Sequence, residues 1–220
     1  MNEREWAAST NACLMLDARG KRLSERKLRL FAVGCCRRVW EQLTVAELRT
    51  AVEMAEHYAD GAAKKRDWQR TTSTLRRRTR AGYSSADHAV HWLAHADPVV
   101  GAQHCSMDVS LVVSGTTDLE NQTPSEAEAE RTEFQQHALL LQCVAGARYR
   151  LPRINPTWLT PDVVALARGI YAERAFDRLP ILADALQDAG CDNADVLGHC
   201  RGPGPHARGC WVVDLVLGKE

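Results

Sequence analysis

Aromatic residues are scarce in this chain, only 6% of 220, and net charge at neutral pH is zero. No apolar run approaches the roughly 18 residues that a membrane-crossing helix requires. The first residues, MNEREWAAST, carry charges where a secretory leader needs an apolar stretch. This reading places the chain in the cytoplasm, away from membranes, where thiols stay reduced. There is no Gly-rich phosphate loop, no HExxH pair and no Ser/His/Asp order of a known hydrolase type. No CxxC knuckle is present either, although the chain has eight cysteines. In a reducing compartment those cysteines are core residues, metal ligands or nucleophiles, not a disulfide frame.

What is abundant is Ala, Leu, Arg and Glu, which lose little side-chain freedom in a helix. The expected fold class is all-α, an irregular bundle of eight to ten helices. Leu28, Phe31, Ala32, Cys35, Cys36, Val39, Trp40 and Leu43 recur at helical spacing and predict a helix over 25–43, capped by Ser24. Thr44 with Glu47 reads as a capping box for the next helix, which Asp60-Gly61 ends. Ser84 with Asp87 opens a helix to about residue 95, and 99–113 is assigned helix from its helical surroundings. Thr123, Pro124 and Glu126 give cap, first-turn proline and capping-box glutamate for a helix reaching Val144 or Ala145. Thr160-Pro161 opens another, Asp177 caps a further one to residue 190, and Asp192 and Asp195 bracket a short helix to Cys200. Trp211 to Leu217 is apolar enough for a buried final helix, with a strand as the minority alternative.

Charge is uneven along the chain. Residues 1–80 hold 18 Lys/Arg against 10 Asp/Glu, and residues 81–220 hold 10 against 18. The polar stretch 114–125 is the best linker, which suggests a basic lobe over 1–113 and an acidic lobe over 124–220 that carries a Cys/His segment. The two lobes also read as one domain held together by mutual attraction. Lys64 to Arg80 has the charge for phosphate contact and a Trp that could stack on a base. A neutral chain without a nucleic-acid fold makes nucleic acid the disfavoured partner, protein the expected one, and the acidic run Glu126 to Glu133 an internal counterpart.

The sharpest constellation is Cys191-x8-Cys200-x5-His206-x3-Cys210. Four soft ligands within twenty residues, at breaks between helices, suit a tetrahedral zinc site. The intervals follow those of CCCH zinc fingers with the last two ligand types exchanged, but no aromatics are interleaved for RNA stacking. The competing reading makes Cys191, Cys200 and Cys210 small buried hydrophobes. With four protein ligands the metal would be structural, since no coordination position stays open. Cys200 activated by His199 or His206 would be a nucleophile, but helix neighbours such as His199 and Cys200 point about 100° apart. His88, His91 and His95 share one helix face and offer a weaker metal reading, with solvated histidines the simpler account.

RKLRLFAVGCCRRVWEQL at 26–43, AVEMAEHYADG at 51–61, NPTWLTPDVVALARGIYAERA at 155–175 and the block from FDRLPILADALQDAGC to WVVDLVLGKE at 176–220 resemble an uncharacterised family of planctomycete bacterial proteins. The resemblance covers both ends, does not extend over 62–150, and implies no activity. No catalytic residue or cofactor-binding set emerges. The sequence is therefore read as a non-catalytic protein-interaction or adaptor module in which a structural zinc is compatible. The rivals are a cysteine- or metal-dependent enzyme and a nucleic-acid-binding protein using Lys64–Arg80.

Overall fold

The computed structural model describes residues 1–78, 84–116, 118, 120–146 and 152–219. Among them are twelve α-helices and no strand: α1 (Glu3–Ala8), α2 (Ala12–Arg19), α3 (Glu25–Arg38), α4 (Ala46–Ala59), α5 (Lys65–Arg78), α6 (Ser85–Trp92), α7 (Pro98–Ser114), α8 (Pro124–Ala145), α9 (Pro161–Glu173), α10 (Leu179–Asp188), α11 (Ala194–Arg201) and α12 (Trp211–Leu217). The all-α expectation is met, with more helices than anticipated because α1 and α2 are too short to show a full apolar period. Both start at asparagines whose side chains cap the first turn. None of the described helices is long and apolar enough to cross a membrane.

α3 is the central helix, buried from Lys27 to Cys36 on nearly every side. A helix apolar all round belongs inside a bundle, and the run Leu30–Cys36 has that character. It packs against α4, α7 and α8. Regular α-helix ends at Arg38, five residues earlier than the apolar stripe suggests. The chain continues in tight turns through Leu43, which keep Val39 and Leu43 fully buried. Arg49 holds this corner, donating from Nε to the Leu43 carbonyl (2.7 Å) and from Nη2 to the Trp40 carbonyl (3.1 Å). The periodicity was thus real while the backbone tightened, because an arginine from the next helix satisfies carbonyls that a continuing helix would have used.

The capping box expected at Thr44 and Glu47 is not made: Val45 precedes α4 and supplies no side-chain bond. Arg178 rather than Asp177 precedes α10, and Asn193 caps α11. The boxes at Ser84/Asp87 and Thr123/Glu126 form as read. The first ends with α6 at Trp92.

Two hydrophobic cores result. The first spans Trp6 to Val144 and takes in α1 to α8. The second contains Trp158, α9 to α12, and one residue from α8, Cys143. The boundary between the cores therefore falls at the end of α8, whose other buried residues pack on α3 and α7. α7 and α8, on either side of the 114–124 stretch, pack against each other.

A polar seam joins the cores. Asp214 of α12, almost fully buried, accepts from Arg26 Nη1 (2.7 Å) and Lys27 Nζ (2.5 Å) of α3. Arg26 also bonds Asp60, and the Tyr171 hydroxyl donates to the same carboxylate (2.5 Å). Arg38 grips Glu133 of α8 through two bonds. The unequal charge of the two halves is in part consumed here. Glu128 pairs with Arg131 and Glu126 caps its own helix, so the acidic run is engaged away from α5.

Candidate metal centre

α11 buries Val196 and Cys200, four residues apart, against the second core. That choice rotates His199 about 100° away from Cys200. Its imidazole lies 5.3 Å from the Trp211 ring, and its Nε2 is 3.2 Å from the Cys210 sulfur. After α11 the chain turns through a Gly/Pro loop in which Gly204 has φ +83°. This brings His206 back, its ring edge-to-face with His199 at 4.9 Å. Cys210 then sits at the start of α12, its amide bonded to the Ala207 carbonyl. The last turn of α8, a helix of the main bundle, supplies Cys143, whose sulfur is 3.4 Å from His206 Nδ1.

Cys143, His199, His206 and Cys210 thus form one group whose ligand atoms all lie within 4.8 Å of one another. It is the one such group of His, Cys, Asp and Glu among the described residues. The arrangement could hold a metal ion. A tetrahedral zinc with Zn–S of about 2.3 Å and Zn–N of about 2.05 Å separates its ligands by about 3.3–3.8 Å. Of the two sulfur–nitrogen distances, 3.4 Å falls within that spacing and 3.2 Å just short of it. The second shell also fits. His206 Nε2 lies 3.4 Å from the Gly202 carbonyl. Donation there leaves Nδ1, the atom facing Cys143, with its lone pair free for a metal.

The sulfurs are electrostatically unequal. Burial pushes the Cys143 thiol well up. Burial acts in the same direction on Cys210, but hydrogen bonds from Cys143, His199 and His206 outweigh it and hold this thiol well below its ordinary value. A thiol biased toward ionisation between a second thiol and two imidazoles is a donor set that a cation would complete.

Of the four ligands expected from the sequence, the structure brings His206 and Cys210 together. Cys191 and Cys200 are buried in the second core and stand outside the group, their places taken by His199 and Cys143. The signal for His199 was the 100° argument itself: once Cys200 faces the core, its neighbour faces the loop. Nothing in the sequence marked Cys143 beyond its position on an apolar stripe. As a nucleophile Cys200 is poorly placed, fully buried and with its thiol pushed far up by that burial.

The other constellations resolve differently. Cys35 and Cys36 are fully buried, and the Cys36 sulfur lies 3.5 Å from that of Cys105 on α7. Trp92 stacks on His104 at 4.3 Å and donates to Asp108, while His95 bonds near Asp97. Burial, Arg76 and the neighbouring histidines lower the His91 pKa, which keeps that ring neutral. In the basic stretch, Lys64, Lys65, Arg66, Arg70 and Arg77 are exposed on or beside α5. Trp68 instead packs inward, stacked on Tyr58 at 5.4 Å beneath the Arg29 guanidinium, and so is withheld from any base. Residues 79 and 80 of this stretch lie outside the described residues.

A buried row of Ser106, His137 and Glu133 carries no motif by which sequence could mark it. Ser106 Oγ is 2.9 Å from His137 Nδ1, and His137 Nε2 is 3.0 Å from Glu133 Oε1, though not well aligned with it. The order mimics a hydrolytic triad, but Ser106 and His137 are 0% exposed, so no substrate reaches the hydroxyl. The row ties α7 to α8 and ends on Arg38 of α3. No protein-family model, curated protein or solved structure matches this chain.

Proposed function

We propose that this protein is a non-catalytic helical interaction module whose C-terminal core is fastened to the main bundle by one structural zinc ion. Cys143, His199, His206 and Cys210 are its ligands. The observation carrying this reading is the cluster itself, two sulfurs and two imidazole nitrogens drawn from α8, α11, the following loop and the start of α12. Four protein ligands fill a tetrahedral zinc, which leaves it no position for water or substrate. The ligands come from α8 of the main bundle and from the C-terminal segment α11–α12, as expected of a metal that braces a fold. An interaction role is supported by large apolar side chains left in solvent on three mutually packed helices, Leu14 of α2, Met107 of α7 and Leu139 of α8.

Elemental analysis of protein expressed with ample zinc tests the metal directly. About one zinc per chain is expected, lost in Cys143→Ser and Cys210→Ser but kept in Cys191→Ser and Cys200→Ser. A metal-free protein, or full zinc in the first two variants, would overturn the assignment.

A further inference from the structure

Between α3, α4 and the start of the 3-10 turn after α9 lies a cleft of about 270 Å³, just below the usual range for small-molecule sites and so suited to a small ligand. Its lining divides by chemistry. Leu30, Val33, Gly34 and Leu140 make an apolar floor, and Arg37, Arg38, Arg174 and Arg208 stand around it with a single carboxylate, Glu56.

The charges do not balance. Glu56 is 1% exposed and accepts from Arg37 Nη2 at 2.7 Å. It also accepts from Arg174, and Arg208 Nη1 lies 3.5 Å away. Burial opposes its charge, yet these guanidiniums hold its pKa below the usual value, so it is ionised. Arg38 is matched by Glu133. Three guanidiniums therefore share one carboxylate. Exposed Glu53 adds only an attraction toward Arg174. Arg37 Nε is shut off from solvent and has no hydrogen-bond partner among the described residues. The surplus of guanidinium charge around the cleft calls for an anion.

Planar guanidinium forks suit phosphate oxygens, and a phosphate monoester carries about −1.5 to −2 charges at neutral pH, close to the surplus. The apolar floor asks for a ligand with a hydrophobic body. We propose that this cleft binds a small organic phosphate monoester, its phosphate on Arg37, Arg174 and Arg208 and its apolar body on Leu30, Val33 and Leu140. The cleft touches the metal cluster only through the His206 wall. The proposal accordingly does not require zinc, and it is tested on the folded full chain as purified.

Calorimetric titration with phenyl phosphate should give one saturable site per chain, with inorganic phosphate about tenfold weaker and phenol without effect at the same concentration. Arg174→Gln should weaken phenyl phosphate about tenfold, while Arg131→Gln, an exposed arginine on α8, should leave it unchanged. A measurement on the unaltered protein stands independently of how the variants fold. Phenyl phosphate should shift the Arg37 Nε–H resonance in a nitrogen-15 arginine spectrum and leave that of Arg131 in place. Four results overturn the proposal: no saturation by about 10 mM phenyl phosphate, equal affinity for inorganic phosphate, equal weakening in both variants, or an unmoved Arg37 signal.

Discussion

Glu133 illustrates what one buried carboxylate does in this fold. Burial alone would raise its pKa, but bonds from Arg38 and His137 outweigh that and bring it to about 2. A carboxylate whose folded pKa is depressed stabilises the protein above its unfolded value and loses that contribution as pH falls through the folded value. The window here runs from about 4.5 down to about 2. Glu133→Gln should therefore cost about 3 kcal/mol at pH 7, because Arg38 and His137 lose their partner in the interior. Denaturant melts recorded across that window should show the difference between variant and parent shrinking as pH falls. A pH-independent difference would mean that lost packing, not charge, is responsible. At the same scale, sequence reading was strongest where a residue's role is local. The boxes Ser84/Asp87 and Thr123/Glu126 form because their partners are three residues apart. Cys143 escaped because its partner His206 lies 63 residues away along the chain, and the attraction between the halves could be read without showing that Glu133 meets Arg38, 95 residues away.

Among the helices, packing decides what periodicity leaves open. α3 carried its apolar stripe past Arg38, yet the backbone turned because Arg49 was there to bind the freed carbonyls. The apolar stripe marked it as a packed helix but not as the central one, and the irregular corner could not be read without knowing where α4 returns. Two helix glycines make the same contrast testable. A β-carbon on Gly101 of α7 would come 2.7 Å from the Trp92 carbonyl that ends α6, and a backbone oxygen cannot move aside. At Gly169 of α9 a β-carbon would meet nothing within 4 Å. Gly169→Ala should thus stabilise by about 0.5–1 kcal/mol through helix propensity. Gly101→Ala should instead destabilise and loosen the α6–α7 pair. Thermal melts of the two variants shifting in the same direction would contradict this account.

Across the whole molecule, two cores share a seam made of charge. Asp214 takes both Arg26 and Lys27 from α3, and the candidate metal cluster spans the same junction a short distance along the chain. Asp214→Asn strips the partner from buried cations and should cost about 3–5 kcal/mol. The loss should fall on the attachment of α9 to α12, seen as faster amide exchange there than in α3 and α7. Uniform acceleration over both cores would indicate a single cooperative unit instead. The charge asymmetry in the sequence anticipated mutual attraction of the halves, but not its geometry, because Glu56 of the basic half ends up bound by Arg174 and Arg208 of the acidic half.

Cys143 belongs to the second core although α8 carries it into the first. During synthesis that sulfur is in place well before its partners exist. The ribosome adds about 70 further residues before Cys210 is made, roughly 4–14 s at ordinary rates. Until α11 and the loop after it have been made, Cys143 stands at the end of α8 without the other members of the cluster. Capture of zinc would then record that the last helix has been delivered and correctly seated, and a chain arrested short of Cys210 would be recognisable by a loose C-terminal segment.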